Sequence, residues 1–328
     1  MMDNKQIRGH FSLIGFTFML GIAIIYGLNF MMQKICLWKP ELVANSNMAL
    51  IFSVLPMYLL GLPALIWLLK RIPGEAPSPH SMKPGHFLQG YIICVPLMYG
   101  SNLIGLLLTS LIGTLKGSPV ENQVSTILDH TNLGLIFLVT VICAPLYEEY
   151  IFRKLLVDRA IKYGKGLAVL LSGLMFGLFH GNLNQFVYTT LLGMFFAFIY
   201  VNTGKIRYTV GLHMLTNFMG GVASTWLVRQ IDLEVITMLE QVGASEEQIM
   251  SVYMENLPGL VMFGAFFLLI ICLGIAGLVL LVLHRKKFLL PREESDVPKG
   301  KTFAWVLCNP GMLLFFLFGI YKIVNQLL

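Results

Sequence analysis

Charge is what this sequence has least of. Only 12% of its 328 residues are Asp, Glu, Lys or Arg, 56% are hydrophobic, and the mean hydropathy is +0.75. Soluble domains carry about 25% charged residues, so a water-borne globular fold is excluded and a polytopic membrane protein is indicated. Paired cysteines are also missing. Cys36, Cys94, Cys143, Cys272 and Cys308 lie mostly in or beside apolar runs with no C-x-x-C among them, which supports neither a disulfide framework nor a thiolate metal site. They read as small apolar side chains. Internal repeats, low-complexity tracts and an H-E-x-x-H run are absent as well. The net charge of +6 is not gathered into a patch. It is spread over short segments between apolar runs, which argues for membrane topology and against nucleic acid.

The sequence predicts an all-α transmembrane bundle of about eight to nine spans. The nine candidates are 11–32, 47–69, 87–112, 131–156, 166–180, 186–201, 208–228, 260–283 and 303–321, judged against about 20 apolar residues per crossing. The fifth and sixth are short. The first follows Lys5 and Arg8 and exceeds the core of about 7–15 residues expected of a cleaved signal, so it reads as an uncleaved helix. With the N-terminus in the cytoplasm, 18 of the 23 Lys and Arg residues fall on the inner side, as the positive-inside rule requires. A multi-pass protein of the cell membrane with a cytoplasmic N-terminus is the expectation. Pro56, Pro63, Pro96 and Pro145 lie inside spans, where each frees a backbone carbonyl that neighbouring groups or water must satisfy. Two outer segments are long: 113–130, with Glu121 and Asp129, and 229–258, whose spaced apolar residues and acids such as Glu234, Glu240 and Glu246 predict an acidic amphipathic helix. The chain divides into a three-span region (1–130), a polar-motif core (131–222) and an outer segment with two further spans (223–328).

Four places put polar side chains into this apolar background. Glu148 and Glu149 end an uncharged run from Thr131 to Tyr147, where a charged residue costs roughly 2.5–3.5 kcal/mol at a span's centre and marks a functional site by default. Arg153, four residues beyond Glu149, shares its helical face, whereas Glu148 points about 100° away. One carboxylate is thus tied to arginine and the other is free to face something else. Phe176 and His180 share a face of a helix whose Gly173, Gly177 and Gly181 allow close helix approach. His213 and Asn217 are likewise four apart on one face. Asn182, Asn184 and Gln185 follow His180 and read as turn residues, with the lining of a cavity as the alternative. Reflecting the fourth and fifth spans about Tyr163–Gly164 puts Glu148 opposite His180, while Asp158, Arg159, Lys162 and Lys165 imply a hairpin projecting past the bilayer.

Glu-Glu-x-x-x-Arg, then Phe-x-x-x-His, then His-x-x-x-Asn, in that order on three apolar helices, resembles the CAAX protease and bacteriocin-processing family. This is the group of intramembrane glutamic endopeptidases that includes the Ras-converting endopeptidase and the bacterial abortive-infection-type proteins. The similarity covers about 131–221, with the linking segment 191–204. The resemblance implies a peptidase in which Glu148 is general base assisted by His180, His213 and Asn217 form the oxyanion hole, and Glu149 with Arg153 supports them. It implies no cofactor and no metal, a peptide or protein substrate, and the lipid bilayer as surroundings. Two other readings stand beside it. Glu148, His180 and His213 could supply three ligands to a catalytic zinc, and the same fold could serve as a non-catalytic membrane immunity or scaffold protein.

Overall fold

A computed structural model describes residues 4–120, 131–232, 235, 238, 245–290, 301 and 303–328. Among these residues the chain is helical and carries no strand. Nine long helices build it: α1 (Asn4–Trp38), α2 (Ser46–Lys70), α3 (Pro84–Lys116), α4 (Leu133–Tyr163), α5 (Lys165–His180), α6 (Leu183–Thr203), α7 (206–228), α8 (Glu246–Leu283) and α9 (Pro310–Leu327). Seven of them are long and apolar enough to cross a membrane, and the protein is a multi-pass α-helical membrane bundle. The two that fall outside this set are α5 and α7. With 16 residues, α5 reaches about 24 Å at about 1.5 Å per residue, short of a hydrocarbon core of about 30 Å. Both of these helices carry the polar motifs, so length and hydropathy were given up where the polar side chains sit.

Three of the in-span prolines adjoin a widened stretch of helix. Pro56 is followed by a π-helical stretch at Met57–Gly61, Pro96 opens another at Pro96–Gly100, and Pro145 lies between two more at Phe137–Cys143 and Tyr150–Val157. A proline has no N–H and crowds the carbonyl one turn back, and a π turn makes room at that point.

α5 and α6 approach closely. A Cβ on Gly173 would stand 2.8 Å from the Met194 nitrogen and 2.8 Å from the Thr190 carbonyl, and one on Gly177 would strike Thr190 Oγ1. Gly181 does something else: its φ of +67° ends α5 in a left-handed cap. The apolar core lies between α1, α2, α4, α5, α6 and α9. Phe152 is its hub, with rings of Phe18, Phe176 and Phe179 at 5.6, 5.1 and 5.4 Å.

At the charged end of the α4–α5 hairpin, two of the charges are packed inside the protein. Asp158 and Arg159 are 7% and 5% exposed. Asp158 takes Lys154 at 2.7 Å and the Tyr200 hydroxyl at 2.8 Å, and Arg159 donates to the carbonyls of Leu69 and Leu155 at 2.9 and 2.8 Å. These bonds tie α2, α4 and α6 together at one end of the bundle. The acidic segment 229–258 also differs from expectation. From Glu246 onward it is the start of α8, capped by Ser245 and Gln248 in a capping box, rather than a separate helix. Asn256 Oδ1 accepts from the Asp232 backbone at 2.7 Å and holds this end of α8 to the end of α7. Glu121, Asp129, Glu234 and Glu240 lie outside the described residues.

Candidate active site

The adjacent glutamates of α4 face different surroundings. Glu149 is fully buried, whereas the Glu148 side chain is 22% exposed and lines a cavity. Glu149 Oε2 stands 3.1 Å from Arg153 Nε, a charge contact without the alignment of a hydrogen bond. Arg153 is itself fully buried, with its guanidinium over the Phe176 ring at 4.4 Å and near that of Phe196 at 5.4 Å. Its terminal nitrogens face these rings and find no acceptor. Cation–π attraction of a desolvated arginine, about 2 kcal/mol, offsets part of that loss.

The other carboxylate oxygen of Glu149 reaches across to α7. His213 Nδ1 lies 2.9 Å from Glu149 Oε1, and His213 Nε2 lies 3.6 Å from Glu148 Oε2. His213 therefore sits between the two acids. An ionised Glu149 can only accept, so Nδ1 carries the proton. A neutral His213 then turns a lone pair toward Glu148, and donation from Nε2 requires the imidazolium.

His180 is fixed in the same way by a backbone group. Its Nδ1 is 2.8 Å from the Phe176 carbonyl, which can only accept, so Nδ1 is the protonated nitrogen and Nε2 is left as a base. The Phe176 ring meets His180 edge-on at 4.8 Å and His213 at 5.9 Å. One aromatic residue thus packs against both imidazoles and the guanidinium.

Asn217, four residues beyond His213, donates Nδ2 to the Thr140 carbonyl at 2.8 Å. The reason lies in α4. In its widened stretch the Ala144 N–H reaches back to Val139, five residues earlier. Thr140 would meet position 145 in the same register, and Pro145 has no N–H to give. Asn217 replaces it. One of the amide's two hydrogens is thus spent on the fold.

These side chains line one cavity of about 620 Å³, with Glu148, His180, His213 and Asn217 together on its wall and Glu149 and Arg153 behind it. Asn184 and Gln185 line it too, which is the second of the two readings the sequence left open for them. Asn184 is 5% exposed and accepts from Thr109 Oγ1 at 2.6 Å. Sequence reasoning missed the contribution of α2, α3 and α6, which supply Tyr58, Tyr99, Asn102 and Tyr188 to the same wall. The available signal was a polar atom inside an apolar run, and a tyrosine carries it weakly because it also packs as a hydrophobe. Among the described residues no group of three or more His, Cys, Asp and Glu side chains is arranged to hold a metal ion.

One buried and one cavity-facing glutamate thus stand beside two imidazoles within a helical membrane bundle. Comparison with known proteins finds membrane peptidases among those it resembles. Residues 130–219 match the family model described as Type II CAAX prenyl endopeptidase Rce1-like, so the likeness is carried by the segment that holds the polar motifs. The chain is 33% identical over 84 residues to YdiL, a candidate membrane peptidase of Bacillus subtilis (strain 168), a match covering 25% of this chain and 34% of that protein. It is 25% identical over 212 residues to the membrane-embedded CAAX protease MroQ of Staphylococcus aureus (strain USA300), covering 60% of this chain and 84% of that protein. The chain thus spans about a third of the length of YdiL. No solved structure matches it closely enough to serve as a comparison.

Proposed function

We propose that this protein is an intramembrane endopeptidase that hydrolyses a peptide bond with a water activated by Glu148. The observation that carries the reading is the split of the acid pair. Glu148 alone of the two lines the cavity, beside a His180 whose Nε2 is left as a base and a His213 within 3.6 Å. In the reaction, Glu148 with His180 takes a proton from water as its oxygen bonds to the carbonyl carbon. The negative charge moves to the carbonyl oxygen, where Asn217 and a protonated His213 donate to it. When the C–N bond breaks, the proton held by the base passes to the leaving amine, so peptide and water become a carboxylic acid and an amine. General-base assistance is worth about 10²–10⁴-fold, and each donor to the oxyanion about 2.7–4 kcal/mol. Glu149 and Arg153 hold His213 in place and never meet the substrate.

The substrate class that fits is a membrane-associated or leader-type peptide. The cavity lies among apolar helices, the matched family is described as a CAAX prenyl endopeptidase, and MroQ as a membrane-embedded CAAX protease. The basic-residue asymmetry supports a cytoplasmic N-terminus in a cell-membrane protein, which reporter fusions to either end would test. The decisive experiment is membrane peptidomics of cells carrying the wild type or Glu148→Gln. A precursor that accumulates only in the variant is expected. Identical peptide profiles, with both proteins inserted in equal amounts, would refute the peptidase reading.

A further inference from the structure

The two groups assigned above to the oxyanion are both already engaged within the protein. Asn217 spends one N–H on Thr140, and His213 turns one nitrogen to each glutamate. A third donor is built into the turn after His180, and its polarity is fixed without reference to any hydrogen position. Asn182 caps α6, with its Oδ1 accepting from the Gln185 backbone N–H at 2.9 Å. That N–H can only donate, so the oxygen of the Asn182 amide must face it and Nδ2 must face outward. Nδ2 meets the Gln185 side chain at 2.6 Å, which must therefore present Oε1. Gln185 Nε2 is then left to donate to the Tyr188 hydroxyl at 3.0 Å. The Tyr188 oxygen is an acceptor here, and no side chain or carbonyl among the described residues takes its own proton. Tyr188 lines the cavity with Glu148 and His180, within electrostatic reach of the Glu148 carboxylate.

We propose that Tyr188 is a further catalytic residue, donating its O–H to the carbonyl oxygen of the scissile peptide as that oxygen becomes anionic, with Asn182 and Gln185 as positioning residues that keep the hydroxyl turned toward the cavity. No proton is transferred from Tyr188. It donates a hydrogen bond that strengthens as charge develops and relaxes when the carbonyl re-forms. The assignment rests on the peptidase reading of the preceding subsection. It also gives the polar residues after His180 a use that a turn alone does not require.

The test uses the full-length protein in membranes, with the precursor that accumulates in Glu148→Gln as the probe. Its cleavage is followed in proteoliposomes for Tyr188→Phe, Gln185→Glu and the double variant. Removal of one oxyanion donor costs about 10²–10³ in kcat, and Tyr188→Phe is expected to lose that much with little change in KM. Gln185→Glu places an acceptor-only carboxylate against the hydroxyl and captures its proton. It should lower kcat comparably in the wild type and hardly at all in the Tyr188→Phe background. Thermal unfolding of each variant in the same lipid establishes that the bundle is intact. Tyr188→Phe turning over at the wild-type rate while Glu148→Gln is inactive would overturn the Tyr188 assignment and leave the peptidase reading standing. A loss confined to KM, or an equal effect of Gln185→Glu in both backgrounds, would overturn it too. If no peptide depends on Glu148, the peptidase reading fails first and the role of Tyr188 fails with it.

Discussion

The buried pair Glu149–Arg153 is the costliest feature of the site, and its energetics can be tested by a double-mutant cycle. Both side chains are fully buried, with Oε2 and Nε 3.1 Å apart. Arg153→Met keeps an unbranched apolar stem against Phe176 and Phe196 while removing the charge, so little of its effect comes from packing. What remains is a carboxylate in the bundle interior with His213 and Thr209 beside it and no cation in contact. Breaking a buried ion pair from one side costs about 3–5 kcal/mol, whereas replacing both partners by neutral groups of similar volume is often close to neutral. Glu149→Gln strands the guanidinium instead, but its Oε1 can still accept from His213 Nδ1. Each single variant is therefore expected to lose about 3–5 kcal/mol, and the double variant no more than either alone, giving a coupling of at least about 3 kcal/mol. Reversible denaturant unfolding of the four proteins in one detergent measures this. Losses that add to within about 0.5 kcal/mol, as for independent sites, would mean that the two charges do not support one another and would refute the role given to Arg153.

Two further outcomes follow from the way the site is hung on its helices. Asn217→Leu strands the Thr140 carbonyl and should cost about 1–3 kcal/mol. Adding Pro145→Ala restores an N–H in register with Thr140 and should recover much of that loss in thermal unfolding, and a double variant less stable than Asn217→Leu would contradict the register described. Gly177→Ala drives a Cβ into Thr190 Oγ1 and to 3.0 Å from the Phe186 carbonyl, an overpacking worth about 1–3 kcal/mol, and should lower turnover by displacing His180 one turn on. Gly166→Ala, with nothing within 4 Å, serves as the control and should be neutral or slightly stabilising.

Much of this was legible in the sequence because membrane helices constrain so strongly. The nine apolar runs correspond to the nine helices, since lipid leaves a backbone few other ways to satisfy its polar groups. The split between Glu148 and Glu149 followed from the 100° step between neighbouring residues, and the placing of Glu148 and His180 on one cavity from reflection about the hairpin. Other features lay beyond such arguments. The burial of Asp158 and Arg159 depends on Leu69 and Tyr200, which belong to other helices, and no spacing within 131–165 announces them. Helical periodicity predicts a freed carbonyl near each proline but not which distant side chain will take it. The bond from His213 to Glu149 was missed for a related reason. The four-residue spacing of Glu149 and Arg153 pairs them with each other, and the second lone-pair direction of the carboxylate carries no sequence signature.

The same accounting of donors and acceptors decides what the site can do. Arg153 holds Glu149 as a carboxylate, Glu149 fixes Nδ1 of His213 as a donor, and Nε2 of that ring is thereby left 3.6 Å from Glu148. A neutral His213 is an acceptor at that nitrogen and competes for the same water proton as Glu148. A protonated His213 brings the four groups Glu148, Glu149, Arg153 and His213 to zero net charge and provides a donor toward the carbonyl oxygen. It does so by holding an ion pair with Glu148, and a base engaged in that way is a weaker one. A site that needs both a free base and a strong oxyanion donor cannot take both fully from this pair. The donor that escapes the conflict is one whose hydrogen is promised to no carboxylate, and in this cavity the relay from Asn182 through Gln185 leaves Tyr188 in that position.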